Sequence, residues 1–218
     1  MLRATAAAAL ASLAALAAVA CGGGDESSTT AGLPSGCEAV EAPAPKPGGL
    51  EPPHTQLSRG DDVSAVVDTS CGVFTIALDT ANFPKTASSF VNLADEGFYD
   101  GTSFSYVDGS VVQGGDPTGD RTGGPGYSVD ESVPFDTEYT RGTVAMAKTQ
   151  VEPTGRSGSQ FFVVYAADAG LQPQFAVLGR VTEGMDVIDR ISQLYEPGSD
   201  SGAPSAPVVI DSVTLDHG

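Results

Sequence analysis

Positive charge is scarce in this sequence. Its 218 residues hold 10 Lys+Arg against 28 Asp+Glu, a formal net charge of −18. Holding nucleic acid by charge needs clustered Lys and Arg against the phosphates, so that class of function is excluded. Polybasic attachment to anionic lipid is excluded for the same reason. Histidine is nearly absent: His54 sits in a Pro-rich stretch and His217 near the C-terminus, each alone. Neither offers a metal site or a catalytic base, and no metal site is expected. Cysteine is limited to Cys21, Cys37 and Cys71, with no CxxC pair and no neighbouring histidine, which argues against thiol catalysis. Long apolar runs are missing too. The most apolar stretch is short and mostly alanine, whereas a spanning helix needs about 20 predominantly apolar residues. With Gly 27 and Pro 15, a helical bundle or coiled coil is disfavoured. What is present, 40% hydrophobic against 17% charged residues, suffices for a sizeable core in one domain with appendages.

The chain opens MLRATAAAALASLAALAAVA, with one early Arg3, an Ala/Leu run, and small residues directly before Cys21. That is the layout of an export signal over 1–20. Ala18-Val19-Ala20-Cys21 resembles a bacterial lipobox with Ala18 where Leu is usual, which makes Cys21 the expected lipidated first residue of an exported, membrane-anchored protein. An ordinary secretory signal is the alternative. Residues 21–61 carry GGG, SSTT, APAPKP and EPP without a sustained period of 2 or 3.6, and read as a tether. A flexible chain of about forty residues spans roughly 35 Å. In an exported chain Cys37 and Cys71 are expected to form a disulfide worth roughly 3–4 kcal/mol, with two free thiols as the alternative.

From residue 62 the texture changes. Two β-rich runs, 63–67 and 73–78, flank Asp68-Thr69-Ser70-Cys71-Gly72, a hairpin signature. Pro84 opens a helix with Ala87, Phe90, Val91 and Ala94 at helical spacing and Gly97 as its stop. Strands are predicted near 102–107, 111–113, 142–147, 160–164, 176–181 and 208–215, and a second helix over 184–194. Glycine-rich loops between so many short strands predict a mainly β fold over 62–218, a closed barrel capped by two α-helices.

The runs FPKTASSFVNLADEGFYDGTSF, VVQGGDPTGDRTGGPGY, GTVAMA, GSQFFVVY and FAVLGRVTEGMDVIDRI follow one another over 83–191. In that order they resemble the cyclophilin family of peptidyl-prolyl cis–trans isomerases, and the likeness covers about 62–215. The resemblance implies an eight-stranded barrel with a hydrophobic proline pocket on its outer face, and no cofactor. Phe162 matches the aromatic floor of that pocket, Leu171 an aliphatic wall, and Ala147 the small residue beside the bound peptide. Gln113 and Gln160 match the glutamines that hydrogen-bond near the substrate backbone. Outside the family context Phe162 also reads as core, Gln160 as a strand-surface residue, and the glycines around Gln113 as turn punctuation.

Rotating an X–Pro amide needs no nucleophile, only a grip on the ring, hydrogen bonds to the flanking chain, and a donor that favours the twisted state. In the family that donor is an arginine, two residues after the Phe of an FHR-type run. Here the run is Phe104-Ser105-Tyr106, and Tyr106 holds the position. Ser110 and Val111 replace the usual Phe and Met, Lys148 a common Asn, and Gly170 the usual Trp, of which the chain has none; Phe175 stands where a His or another aromatic lies. Without the Trp, weak cyclosporin affinity is expected. Arg121 and Arg156, in glycine-bearing loops, are the candidates for a substitute donor. The expectation is an isomerase of weakened activity, with Tyr106 and Gln113 as catalytic positions and Gln160, Phe162, Leu171, Phe175, Ala147 and Val111 as the substrate-binding set. It would act as a monomer on proline-containing segments of exported proteins. A binding module on the same fold that grips proline segments with little turnover is the alternative.

Overall fold

The computed structural model describes residues 32–54, 56–199 and 201–218. The expected signal at 1–20, Cys21, and the start of the expected tether lie outside the described residues. No helix among the described residues is long and apolar enough to cross a membrane.

In chain order the elements are β1 (Val63–Thr69), β2 (Gly72–Leu78), α1 (Pro84–Asp95), β3 (Thr102–Val107), β4 (Val111–Asp116), β5 (Val129–Asp130), β6 (Thr143–Met146), β7 (Arg156–Ser157), β8 (Phe161–Val164), β9 (Val177–Glu183), α2 (Met185–Ser192) and β10 (Val209–His217). Eight of the strands close a barrel in the order β1-β10-β3-β4-β8-β6-β9-β2, and β5 with β7 forms a separate ribbon that the sequence pattern did not suggest. All ladders are antiparallel. β1 pairs with β2 through the predicted hairpin, where Gly72 takes a φ of 116° that a side chain would resist. On its other edge β1 pairs with β10, Val63 opposite His217, so the barrel leaves no open edge.

Burial follows the period of two expected of a half-buried strand: Val63, Ala65 and Val67 of β1 point inward. Helix α1 starts on Pro84 and buries Ala87, Phe90 and Leu93 completely. Its first-turn amides lack intrahelical acceptors. A distant carboxylate fills the need, since the Lys85 amide donates to Glu131 Oε2 at 2.9 Å, and a negative group is favoured at that end of a helix. Helix α2 buries Val187, Ile188 and Ile191. These faces join Phe74, Phe104 and Phe161 in one interior cluster. A second apolar cluster, with Phe83, Val111, Tyr139, Phe162 and Val177, lies apart from it.

The expected tether is corrected from residue 32 onward: this segment lies on the barrel as a strap. Leu33, Cys37, Leu50 and Leu57 pack against the interior cluster. Half-buried positions recur at Pro34, Cys37, Val40, Pro43 and Lys46, every third residue, which is the period of a polyproline-II chain. Proline keeps such a chain extended and removes amides that would otherwise need partners. Several of the remaining amides find them on the barrel and its loops. Glu38 N donates to Ser70 O at 2.7 Å, Lys46 N to Pro117 O at 2.8 Å, and Gly49 N and Leu50 N both to Pro125 O at 2.8 Å. Lys46 Nζ donates to the Phe98 and Asp100 carbonyls. A disulfide joins Cys37 to Cys71.

Candidate functional site

Strand register assembles the site. Tyr106 of β3 lies opposite Gln113 of β4, Gln113 opposite Phe162 of β8, and Phe162 opposite Ala145 of β6. Opposed residues on one face sit roughly 4.5–5.5 Å apart at Cβ. Four neighbouring strands therefore present one continuous row, a tyrosine, a glutamine, a phenylalanine and an alanine. The adjacent positions Val107, Val112, Val163 and Val144 are fully buried in the interior cluster, as the pleat requires.

Behind the row is an aromatic nest. The Phe162 ring meets Phe175 at 5.3 Å, nearly perpendicular, and Tyr139 at 6.2 Å; Tyr139 meets Phe175 at 5.8 Å. Edge-to-face pairs of this kind add about 0.5–1.5 kcal/mol beyond burial. Tyr139 locks the Phe175 backbone: its hydroxyl donates to Phe175 O at 2.8 Å and accepts from Phe175 N at 2.9 Å. Burial raises the Tyr139 phenol above its ordinary range. Val111 belongs to this cluster, and Leu171, Ala147 and Tyr106 pack against it.

Beside the nest opens a cleft of about 920 Å³, lined by Gln113, Arg121, Gly123, Ala147, Lys148 and Gln160 among others. Gln113 Nε2 donates to Gln160 Oε1 at 2.8 Å, and Gln160 Nε2 donates onward to Gly123 O at 2.9 Å. This relay fixes both amides, and no donor among the described residues occupies Gln113 Oε1, which is left to accept from a peptide. Lys148 lies 5.6 Å from the Phe175 ring centre, joining cleft and nest. No group of three or more acidic, histidine or cysteine side chains among the described residues is placed to hold a metal.

Tyr106 is half-buried, and its hydroxyl donates to Asp108 Oδ2 at 3.2 Å. Desolvation first, then the Asp108 carboxylate, raises its phenol above the usual range. Asp108 also accepts from the Ser110 amide at 2.7 Å and the Val111 amide at 2.8 Å, which shapes the short β3–β4 turn. The phenol is thus committed to its own turn rather than to the cleft. Arg156 is committed as well, by a two-pronged pair with Asp130 at 2.8 Å for each contact.

The loop after β4 is stitched by two carboxylates. Asp116, 2% exposed, accepts from the Thr118 amide and from the Arg121 amide. Asp120 accepts from the Thr122 hydroxyl at 2.6 Å and amide at 2.9 Å, and from the Thr118 hydroxyl at 2.7 Å. The Thr122 and Thr118 hydroxyls are the main reason its carboxyl is held down to about 2. A carboxyl depressed in the folded state stabilises at pH above its ordinary value and loses that effect as pH falls through the depressed one. Loop order around Thr122 is therefore expected to persist at pH 5 and to fade only between about pH 4 and 2. A carboxyl-carbon NMR titration checks this; a midpoint at the ordinary aspartate value would contradict it.

Of the residues singled out from sequence, Gln113, Gln160 and Ala147 line the cleft, while Phe162, Phe175, Leu171 and Val111 form the adjoining nest. Tyr106 flanks them with its hydroxyl turned to Asp108. Tyr139 and Asp108 were missed. Tyr139 is embedded in the polar run DTEYT and carries no periodic signal, whereas Asp108-Gly109-Ser110 is a turn tripeptide that could have been read as such.

Comparison with known proteins is consistent across sequence and structure. The family described as cyclophilin type peptidyl-prolyl cis-trans isomerase/CLD matches residues 65–215. A probable peptidyl-prolyl cis-trans isomerase B of Mycobacterium tuberculosis is 35% identical over 209 residues, covering 86% of this chain and 66% of the relative, just under two thirds of its length. A probable peptidyl-prolyl cis-trans isomerase A of Mycobacterium leprae is 36% identical over 176 residues, covering 71% of this chain and 92% of the relative. Among solved structures, a Cryptosporidium parvum cyclophilin type peptidyl-prolyl cis-trans isomerase in the presence of the dipeptide ala-pro has a TM-score of 0.64 at 26% identity, over 71% of this chain and 99% of that one.

Proposed function

This chain belongs to the cyclophilin-type peptidyl-prolyl cis–trans isomerase family, and from that membership we propose that it isomerises X–Pro bonds in exported proteins while anchored to a membrane through lipid on Cys21. The observation that carries the isomerase reading is the register row Tyr106–Gln113–Phe162–Ala145 with its aromatic nest and adjoining cleft. The export and anchoring rest on the sequence of residues 1–21 alone.

The chemistry asks for what this surface offers. Resonance gives the X–Pro bond a barrier near about 18–20 kcal/mol. At the top of that barrier the amide is twisted, its double-bond character is lost, and the nitrogen lone pair is localised. A prolyl ring held against Phe162, Phe175 and Leu171 keeps one side of the bond still. Gln113 and the backbone beside Ala147 hold the flanking chain, and the carbonyl side rotates. Nothing covalent is required, and the nest, which excludes water from the ring, supplies binding.

To the extent that the site depends on residue 106 for its donor, activity is proposed to be reduced, because the Tyr106 hydroxyl is taken by Asp108 and so does not donate to the reacting amide. In another enzyme class, loss of one positioned donor costs about 2.7–4 kcal/mol. The same observation favours the second reading, a proline-segment binder with little turnover. Exchange NMR on an Ala-Pro peptide with the full chain separates the two. Cis–trans exchange peaks that vanish in Phe162→Ala, with the variant still melting cooperatively, are expected. Peptide line broadening without exchange would replace the enzyme by the binder.

A further inference from the structure

Arg121 holds an unusual position among the arginines. Of the six described arginines, Arg59, Arg141, Arg156, Arg180 and Arg190 each donate through the guanidinium to a protein carbonyl, hydroxyl or carboxylate. The Arg121 guanidinium has no such partner among the described residues. It stands over the Tyr106 ring, 5.0 Å from the centroid, and lines the same cleft as Gln113 and Gln160. In a chain of net charge −18, a cation without a carboxylate partner facing a cleft calls for an explanation.

Its backbone is unusual too. Arg121 is the one described non-glycine residue with a positive φ, 68°. Side chains in this region are strained, and such strain persists only where the surroundings enforce it. Here they do. Asp116 takes the Arg121 amide from below, Asp120 ties Thr118 to Thr122, and the strap reaches both ends of the loop, Lys46 N to Pro117 O and Gly49 N to Pro125 O. Contact is close: a Cβ on Gly48 would come within 2.4 Å of the Gly124 carbonyl. The loop is therefore a held platform for the Arg121 side chain.

We propose that Arg121 is the catalytic donor of this site, its guanidinium carried on the Tyr106 ring and placed over the row by the 116–122 loop and the strap behind it. The proposal rests on the isomerase reading. Adjacent strands are about 4.8 Å apart, so a peptide whose prolyl ring lies on Phe162 brings its X–Pro amide over Gln113, one strand from Tyr106. A guanidinium standing on Tyr106 then reaches the amide from the side opposite the nest. As the bond twists, the localised nitrogen lone pair accepts a hydrogen bond from the planar, permanently charged fork. The proton stays on arginine throughout. In the planar ground state that lone pair is delocalised, so the donor acts on rate more than on binding. Tyr106 in this arrangement is a positioning residue, and the Asp108 bond fixes the ring on which the cation rests.

The test compares the full chain with Arg121→Gly and Arg121→Lys, measuring peptide affinity by chemical-shift titration and turnover by cis–trans exchange on the same Ala-Pro peptide. Glycine accepts φ 68° without strain, so the first variant removes the side chain and leaves the loop. Arg121→Gly is expected to lower turnover by about 10²-fold while peptide affinity changes by less than about threefold, the split of a group acting on the transition state. Arg121→Lys, which keeps the charge and loses the fork, should recover only part of the rate. Arg156→Gln, on the β5–β7 ribbon, should leave turnover unchanged. Turnover retained in Arg121→Gly overturns the proposal and leaves the isomerase standing. A parallel loss of affinity and rate overturns it too, by making Arg121 a binding group. No exchange with the unaltered chain removes the isomerase reading and this inference with it.

Discussion

Phe161→Ala is expected to lower folding stability by about 3–5 kcal/mol, and Phe162→Ala, one residue on, by clearly less while removing peptide binding. The two side chains leave β8 on opposite faces. Phe161 is fully buried and meets Phe90 at 6.0 Å, Tyr99 at 5.9 Å and Phe104 at 6.0 Å. A Cβ on Gly115 would sit 3.0 Å from the Phe161 ring, so the wall around it is already in close contact. Enclosed by Phe90 of α1, Tyr99 in the segment after it and Phe104 of β3, the site left by Phe161→Ala is expected to stay largely empty, and a cavity that does not collapse gives the large end of the range. For a domain of this size that corresponds to a melting temperature lower by roughly 6–20 °C. Phe162 borders on Phe175, whose backbone Tyr139 holds but whose half-buried ring can turn toward the space. Thermal melts of the two variants decide the matter. Equal losses would mean that the outer nest is as rigid as the interior, and the separation of fold from site along β8 would fail.

Cutting the Cys37–Cys71 bond is expected to have a comparable effect by a different route. The bond closes a loop of sequence separation 34, for which the chain-entropy account gives roughly 3–4 kcal/mol. Cys37→Ser with Cys71→Ala avoids burying a hydroxyl, because Cys71 is 1% exposed. Denaturant unfolding of this pair should show the loss. Hydrogen exchange should show where it falls. The amides of Lys46, Gly49 and Leu50, bonded to Pro117 and Pro125, should lose protection well before those of β8. Since the strap backs the loop that carries Arg121, turnover should drop further than affinity in the same variant. Unchanged protection at Gly49 and Leu50 would show that the strap's own hydrogen bonds hold it without the covalent tie.

Much of this architecture is legible in the sequence. The β-rich run 63–67 marked β1, and Pro84 with Ala87, Phe90 and Ala94 marked α1 to within a residue or two. Gln113, Gln160 and Phe162 were placed in one site by the resemblance of their motifs to the cyclophilin family, and the pairing of β4 with β8 brings them together. Three things were hidden for physical reasons. The strap repeats every three residues, and a search for periods of 2 and 3.6 passes over it. In β8 both faces are covered, so Phe161-Phe162-Val163-Val164 shows no alternation, and nothing local tells the interior ring from the exterior one. The fate of Tyr106 depended on Asp108, two residues away, whose carboxylate takes the hydroxyl. Arg121 stood in the sequence as one of two candidate substitute donors, beside Arg156, with nothing local to choose between them. What sets it apart is that every other described arginine is engaged, a fact about partners distant in sequence.

The seam between β1 and β10 bears on how the protein is made. The first strand of the ring lies beside the last, Val63 opposite His217, and β10 also supplies the second neighbour of β3, Val209 opposite Ser103. At synthesis rates of about 5–20 residues per second, β1 waits roughly 8–30 s for its partner. Through that interval β1 and β3 each have an unpaired edge, and the strap has no finished barrel on which to lie. Native structure therefore arrives late and all at once, only when β10 is free to pair. A nascent chain truncated before β10 should yield a protease-sensitive polypeptide rather than a smaller barrel.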